Sequence, residues 1–377
     1  MGSRERLLTP VSDAGSASLR DRPTPVAFVL PSFAGGGAQK VLLAFAAQLD
    51  RAAFAPVVIV LEPVGPWRAL VPEGLRVVSL DKPRLRTALP ALLRVLRIER
   101  PAIVVSTIGY LNLGVLLLKP WLAGRPRVVV REANTPKRHA RSAPGQWLYR
   151  LGYRFLYRGA DTVVCPANYL RDELVAGGVA PGRIVVLPNP VDEAALRTSA
   201  AVPRRAPGPG RRFVCVGRLT AQKGYDRLLD DFAQMPQDSQ LTIFGEGEEL
   251  PVLQGKVEHL GLTGRVALAG FEPEPAPWLA GADALLLPSR WEGLPNVALE
   301  ALACGTSVIA SPEAGGIVEI AGEAAPGAVT LVPCGSAFVA AMSACAPRGD
   351  AGLSPSLLPD RYRMDRASAA FAAMLAA

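Results

Sequence analysis

Short, uninterrupted apolar runs alternate with amphipathic stretches over most of the chain. Residues 26–30 form one such run, which stops at Pro31 and leads through Gly35-Gly36-Gly37 into an amphipathic segment at 39–49. That pattern predicts strand, glycine loop and helix. More buried-strand candidates follow at 57–61, 77–80, 103–106, 128–131, 162–165 and 184–187, with helical stretches between them. Runs of Val and Ile that do not alternate with polar residues need cover on both faces, as in a parallel sheet sandwiched by helices.

The periodicity breaks at 201–210, a Pro- and Gly-rich stretch, and then resumes. Strands are expected at 213–217, 241–244, 266–269, 284–287 and 307–310, and helices at 224–234, 249–260 and 296–304. The chain therefore divides into a disordered leader at 1–23, an α/β domain at 24–195, a linker at 196–211 and a second α/β domain at 212–358. An alanine-rich helix within 359–377 is placed to pack back on either domain, the N-terminal one included. Two such domains leave a cleft between the carboxyl ends of their strands, where ligands bind.

Composition narrows this picture. A chain of 377 residues is long enough for two cores, and 50% hydrophobic with 20% charged residues excludes a disordered protein. The 36 glycines and 35 prolines favour short elements joined by tight turns over a helical bundle. The leader has no apolar core of the kind a secretory signal needs, and the apolar stretch at 111–118 is broken by Lys119 and Pro120 before the ~18 residues of a membrane span. The five cysteines are scattered with no C-x-x-C pair, which reads as reduced core thiols and a cytoplasmic location.

The net charge of +8 is concentrated in 125–158, where nine basic residues face one acid, Glu132. Arg150, Arg154 and Arg158 recur every four residues, with Tyr149, Tyr153 and Tyr157 one step round the same helix, backed by Trp147, Leu148, Leu151 and Phe155. A basic stripe beside a phenol stripe suits an anionic membrane surface, and equally suits a solvated helix face packed on its own domain. With no zinc-finger or RNA-binding signature, nucleic acid is not an expected partner.

The familiar nucleotide fingerprints fail. A G-x-G-x-x-G starting at Gly35 meets Lys40, one starting at Gly245 meets Leu250, and a P-loop starting at Gly217 meets Gln222. Gly36 and Gly37 still precede a helix, so they form either a phosphate-accepting loop or a plain tight turn. Residues 288–301 place Glu292 on a loop and Glu300 eight positions later inside a helix, with Pro295 in the first turn. The N–H groups around Gly293, Leu294 and Asn296 would face an anionic ligand, and Glu300 would accept hydrogen bonds from hydroxyls of a sugar or ribose. Arg218 and Lys223 follow a strand and are either a diphosphate clamp or an ordinary surface pair.

From residue 26 onward the motifs occur in a familiar order: Gly35-Gly36-Gly37-Ala38-Gln39-Lys40, Asn189-Pro190-Val191-Asp192, Val216-Gly217-Arg218-Leu219 with Lys223-Gly224, Gly245-Glu246-Gly247, and Glu292 through Glu300. In these the chain resembles the retaining glycosyltransferases of family 4, whose GT-B fold sets two Rossmann-like parallel-sheet domains around a central cleft. The resemblance implies a nucleoside-diphosphate sugar donor, a UDP-sugar in the first instance, with no cofactor and no metal; the sequence lacks a D-x-D carboxylate pair. It implies that Arg218 and Lys223 hold the donor diphosphate, Glu300 the ribose, Glu292 with the Gly293 and Leu294 backbone the sugar, and the segment of Gly245, Gly270 and Phe271 the rest of the nucleotide. Where many members carry a histidine after the strand matching 128–131, the resemblance leaves either Glu132 or Asn134 as its substitute here, while His139 and His259 read as surface residues. Glu-x-Asn there is similar to the branch acting on lipid-linked oligosaccharides and surface polysaccharides. That implies a glycan or polyprenyl-diphosphate-linked acceptor, met by an enzyme peripheral on the inner face of the cytoplasmic membrane. An epimerase or hydrolase of the same architecture and a non-catalytic nucleotide-binding scaffold are the rival readings.

Overall fold

The computed structural model describes residues 22–34, 36–134, 151–349 and 352–377. Its first sheet is built from β1 (Thr24–Leu30), β2 (Phe54–Val60), β3 (Arg76–Ser79), β4 (Ile103–Thr107), β5 (Arg127–Arg131), β6 (Thr162–Cys165) and β7 (Ile184–Val186). The spatial order is β3-β2-β1-β4-β5-β6-β7, with every pairing parallel. Crossovers are made by α1 (Gly37–Gln48), α2 (Leu85–Glu99), α3 (Gly109–Leu118) and α4 (Asn168–Ala176). Strand parity sorts the apolar runs onto two faces: Ala27, Val29, Val104, Val128 and Val130 pack under α2 and α3, and Val26, Phe28, Leu30, Val105 and Val129 pack under α1.

After α5 (Glu193–Ser199) comes the second domain, with β8 (Arg212–Val216), α6 (Tyr225–Phe232), β9 (Gln240–Phe244), α7 (Leu250–His259), β10 (Val266–Gly270), α8 (Ala276–Gly281), β11 (Ala284–Leu287), α9 (Asn296–Ala303), β12 (Ser307–Ala310), α10 (Ile317–Glu323), β13 (Val329–Leu331) and α11 (Ser336–Ala344). Its sheet is also wholly parallel, in the order β10-β9-β8-β11-β12-β13. The last helix, α12 (Met364–Ala376), returns to the first domain. There Phe371, 1% exposed, stacks on Phe45 with ring centroids 4.3 Å apart and completes the core under α1.

Several details differ from the sequence reading. Helix α5 fills the start of the expected linker, and Arg197 on it donates to the carbonyls of Ala303 and Ser354 at 3.0 Å, which ties it to the second domain. Strand β13 is only three partly exposed residues, too short to show a period. Cys165, Cys215 and Cys304 are buried as core thiols, whereas Cys334 and Cys345 are half-buried. Burial pushes Cys165 and Cys304 up to about 12 and Cys334 and Cys345 up to about 11. Among the described residues no helix is long and apolar enough to cross a membrane.

The expected phenol stripe needs correction. Trp147, Leu148, Tyr149, Arg150 and His139 lie outside the described residues, as do the leader up to residue 21 and Gly35. Tyr153 and Tyr157 point inward, 3% and 1% exposed, and stack on each other at 4.3 Å. Asn112 and Glu132 offer Tyr157 polar partners inside the domain, so the phenol goes in and Phe155, 56% exposed, goes out beside the exposed Arg154 and Arg158.

Candidate active site

Both sheets reverse strand order next to their first strand, β1 in one and β8 in the other, and doubly wound sheets bind ligands at the carboxyl ends of the strands there. In the second domain Arg218 and Lys223 follow β8, Gly245 follows β9, Phe271 follows β10, and Glu292 and Glu300 follow β11. Gly245 has φ of +139°, and any side chain on it would run into the carbonyl of Gly217, so the two strand-end loops can nest only with glycine there.

Glu292 is the centre of a polar cluster at the ends of β8 and β11. It is 7% exposed; its Oε1 accepts from Lys223 Nζ at 2.6 Å and from Ser289 Oγ at 2.9 Å, and its Oε2 from Gln222 Nε2 at 3.3 Å. Lys223 and Glu292, expected from the sequence to hold different parts of a donor, thus hold each other. Arg218 is exposed, and its guanidinium has no hydrogen-bonding partner among the described residues, which leaves it open to a ligand. Phe271 is 50% exposed at the rim.

Glu300 stands one turn beyond Asn296 on α9, and both are met by the first domain. Lys40, in the first turn of α1, reaches Glu300 Oε1 at 2.7 Å, and its ammonium lies 5.6 Å from the centroid of the Trp67 ring. Asn296 receives Asn189 Nδ2 on its Oδ1 at 2.5 Å, and Asn189 Oδ1 in turn receives Arg131 Nη2 at 2.5 Å. A Cβ added at Gly37 would collide with the Asn296 amide, and one at Gly293 with the carbonyl of Ala133. The glycines therefore let the two domains close against each other. Neither α1 nor α9 has a side-chain cap or an acid in its first turn, so their unpaired N–H groups and positive dipole ends meet at the cleft. With Arg218, Lys40 and Lys223 added, the site is built for an anion.

Glu132 is not in that cleft. It is 0% exposed, on the α3 side of the sheet, where Oε1 accepts from Asn112 Nδ2 at 2.8 Å and from the Tyr157 hydroxyl. Burial first and the carboxylate second raise the Tyr157 phenol well above its ordinary value. Its neighbour Arg131, 1% exposed, points to the opposite face, and burial pulls its guanidinium down to about 10. Asn134 is half-buried in the loop that lies against Gly293, and His259 ends α7 exposed. Lys40, Asn189, Gln222 and Ser289 were given no role in the sequence reading, although Lys40 and Asn189 stand in its motifs. Ile108, with φ of +72° at the end of β4, carries backbone strain that no sequence pattern signals.

Two family models match the chain: the glycosyl transferase 4-like domain over residues 36–190 and glycosyl transferases group 1 over 210–346. The chain belongs to the group 1 glycosyltransferases of family 4, with the GT-B architecture. It is 30% identical over 182 residues to the lipopolysaccharide core biosynthesis glycosyltransferase LpsE of Rhizobium meliloti, a match covering 45% of this chain and 49% of that one. It is 26% identical over 220 residues to the N-acetylgalactosamine-N,N'-diacetylbacillosaminyl-diphospho-undecaprenol 4-alpha-N-acetylgalactosaminyltransferase of Campylobacter jejuni, covering 55% of this chain and 57% of that one. The chain thus spans about half the length of these curated relatives. In fold it is similar to Anabaena HepE solved with UDP and glucose, at a TM-score of 0.70 and 17% identity, over 93% of this chain and 99% of that one.

Proposed function

We propose that the protein transfers a hexose or N-acetylhexosamine from a UDP-sugar to a glycan or polyprenyl-diphosphate-linked acceptor, with retention at the anomeric carbon. The observation that carries this reading is the convergence of two uncapped helix N-termini and three cations on a cleft that also holds Glu292 and Glu300. An anion flanked by hydroxyls fits that set: the diphosphate between Arg218, Lys223 and the N–H groups of Gly36 and Gly37, the ribose on Glu300, the sugar on Glu292. The fold neighbour solved with UDP and glucose supports the donor class, and the relative named for a diphospho-undecaprenol substrate supports the acceptor class.

In this reading the chain's chemistry is positioning and charge. Closure of the domains brings an acceptor hydroxyl to the face of the sugar from which the diphosphate leaves, and Arg218 and Lys223 stabilise the charge that builds on the departing oxygen. Those two cations do the work for which other transferases use a divalent ion, so transfer proceeds without added metal. The exposed Phe155, Arg154 and Arg158 hold the first domain on the anionic inner surface of the cytoplasmic membrane, where a lipid-linked acceptor resides.

The test is thermal stability with saturating UDP, GDP or ADP in the absence of metal, followed by transfer from the matching labelled sugar nucleotides. A ligand at about 100 times its dissociation constant adds about 2.7 kcal/mol to the folded state. A UDP-selective shift lost in Arg218→Ala supports the reading. Turnover of donor equally fast with no acceptor would instead mark a hydrolase or epimerase, and no shift with any nucleotide would remove the donor site.

A further inference from the structure

We propose that Lys40 is a specificity-determining residue of the donor site, one that pairs with Glu300 across the cleft and exchanges it for the donor's diphosphate. The inference rests on the reading that Glu300 takes the ribose hydroxyls. Lys40 lies on the first domain and Glu300 on the second, yet they form a 2.7 Å ion pair, and Glu300 is the less exposed partner at 15% against 38%. Gly37 and Lys40 are three apart on α1, and Asn296 and Glu300 are four apart on α9, so one face of each helix meets the other. The surface that closes the domains is therefore the surface that would receive the ribose.

A ribose diol arriving at Glu300 displaces an ammonium from a carboxylate. A diol is neutral, so a nucleoside alone replaces an ion pair with hydroxyl-to-carboxylate hydrogen bonds and leaves Lys40 without a counter-charge. A nucleoside diphosphate brings its own. The Lys40 amine sits one turn into α1, beyond the uncapped Gly36 and Gly37 end at which the phosphates gather, and it stays against the Trp67 ring while it changes partner. Lys40 therefore penalises ligands with a ribose and no phosphate, and the ion pair yields only to a ligand that satisfies both partners.

The experiment measures the dissociation constants of uridine and UDP by calorimetry and by uridine competition against UDP, using the full chain. In Lys40→Met the ratio of the uridine constant to the UDP constant falls at least tenfold, because uridine binds more tightly and UDP less tightly, while Lys40→Arg keeps the wild-type ratio. An unchanged ratio, an equal weakening of both ligands, or uridine binding that is still undetectable in Lys40→Met overturns the proposal. Glu300→Gln is then added to the Lys40→Met background. A tenfold loss of UDP affinity there upholds the ribose assignment whatever Lys40 does, and no loss shows that the assignment, rather than the exchange, has failed.

Discussion

Replacing Lys223 separates what the Lys223–Glu292 pair does for stability from what it does for the donor. The pair is 2.6 Å long with side chains 15% and 10% exposed, so its gross Coulomb attraction at an effective dielectric of about 20 is about 6 kcal/mol. Desolvation of both ions cancels most of this, and the quantity that matters is the cost of stranding one of them, usually about 3–5 kcal/mol. Glu292 retains Ser289 and Gln222 as donors, so Lys223→Met should cost about 2–3 kcal/mol. For a domain of this size that lowers its unfolding temperature by about 5–10 °C. In Lys223→Met with Glu292→Gln the stranded charge is gone, and at least half of the loss returns. UDP affinity behaves differently: a charged hydrogen bond to the diphosphate is worth about 1.5–3 kcal/mol, or about 10- to 150-fold, and the second substitution does not restore it. Differential scanning calorimetry and titration calorimetry on wild type, Lys223→Met and the double variant measure both quantities. Stability and UDP affinity recovering together, or neither moving in Lys223→Met, would refute the reasoning.

Other outcomes follow from the same geometry. Phe371→Ala removes a 1% exposed ring stacked on Phe45 and should destabilise the first domain by about 3–5 kcal/mol, leaving the UDP-protected transition of the second in place; a loss below about 1 kcal/mol in a melting experiment would contradict the packing. Phe155→Ser with Arg154→Glu and Arg158→Glu should abolish binding to vesicles rich in anionic lipid in a sedimentation assay while UDP binding is retained, and undiminished sedimentation would remove this face as the contact. The paired hydrogen bonds from Arg290, at 2.7 and 2.6 Å, hold the Asp226 carboxyl below its usual value. Its contribution is therefore fully present above the unfolded value of about 3.9 and is lost as pH falls through the folded one. The stability gap between wild type and Arg290→Ala should stay constant near neutrality and close below about pH 4; a gap that widens on acidification in chemical denaturation would reverse the sign of the argument.

The strands were the most legible part of the chain, because a strand buried on both faces has to be apolar throughout. Those at 162–165, 284–287 and 307–310 run over the residues read from the pattern, and the others shift by only a few residues. The three-residue β13 carries too little pattern to be seen. Helix α12 was visible as a helix, but its home in the first domain depends on Phe371 meeting Phe45 across 326 positions, which local periodicity does not encode. The site divides in the same way. Lys223 and Glu292 follow neighbouring strands of one sheet, so the strand-end rule brings them together.

Glu132 shows where that rule fails. Arg131 and Glu132 are adjacent at the end of β5, and strand parity sends one side chain toward Asn189 and α1 and the other toward Asn112 and Tyr157. Adjacency at the strand end therefore brings neither side chain into the cleft: both are buried, on opposite faces of the sheet. What decides between them is the partner waiting on each face, and for Arg131 that partner is Asn189, which passes the contact on to Asn296 at the head of α9. The contact that holds the head of α9 thus runs through a fully buried arginine of the other domain. Closing the cleft and ordering α9 are then a single event, and the Lys40–Glu300 pair crosses the cleft beside the same contact.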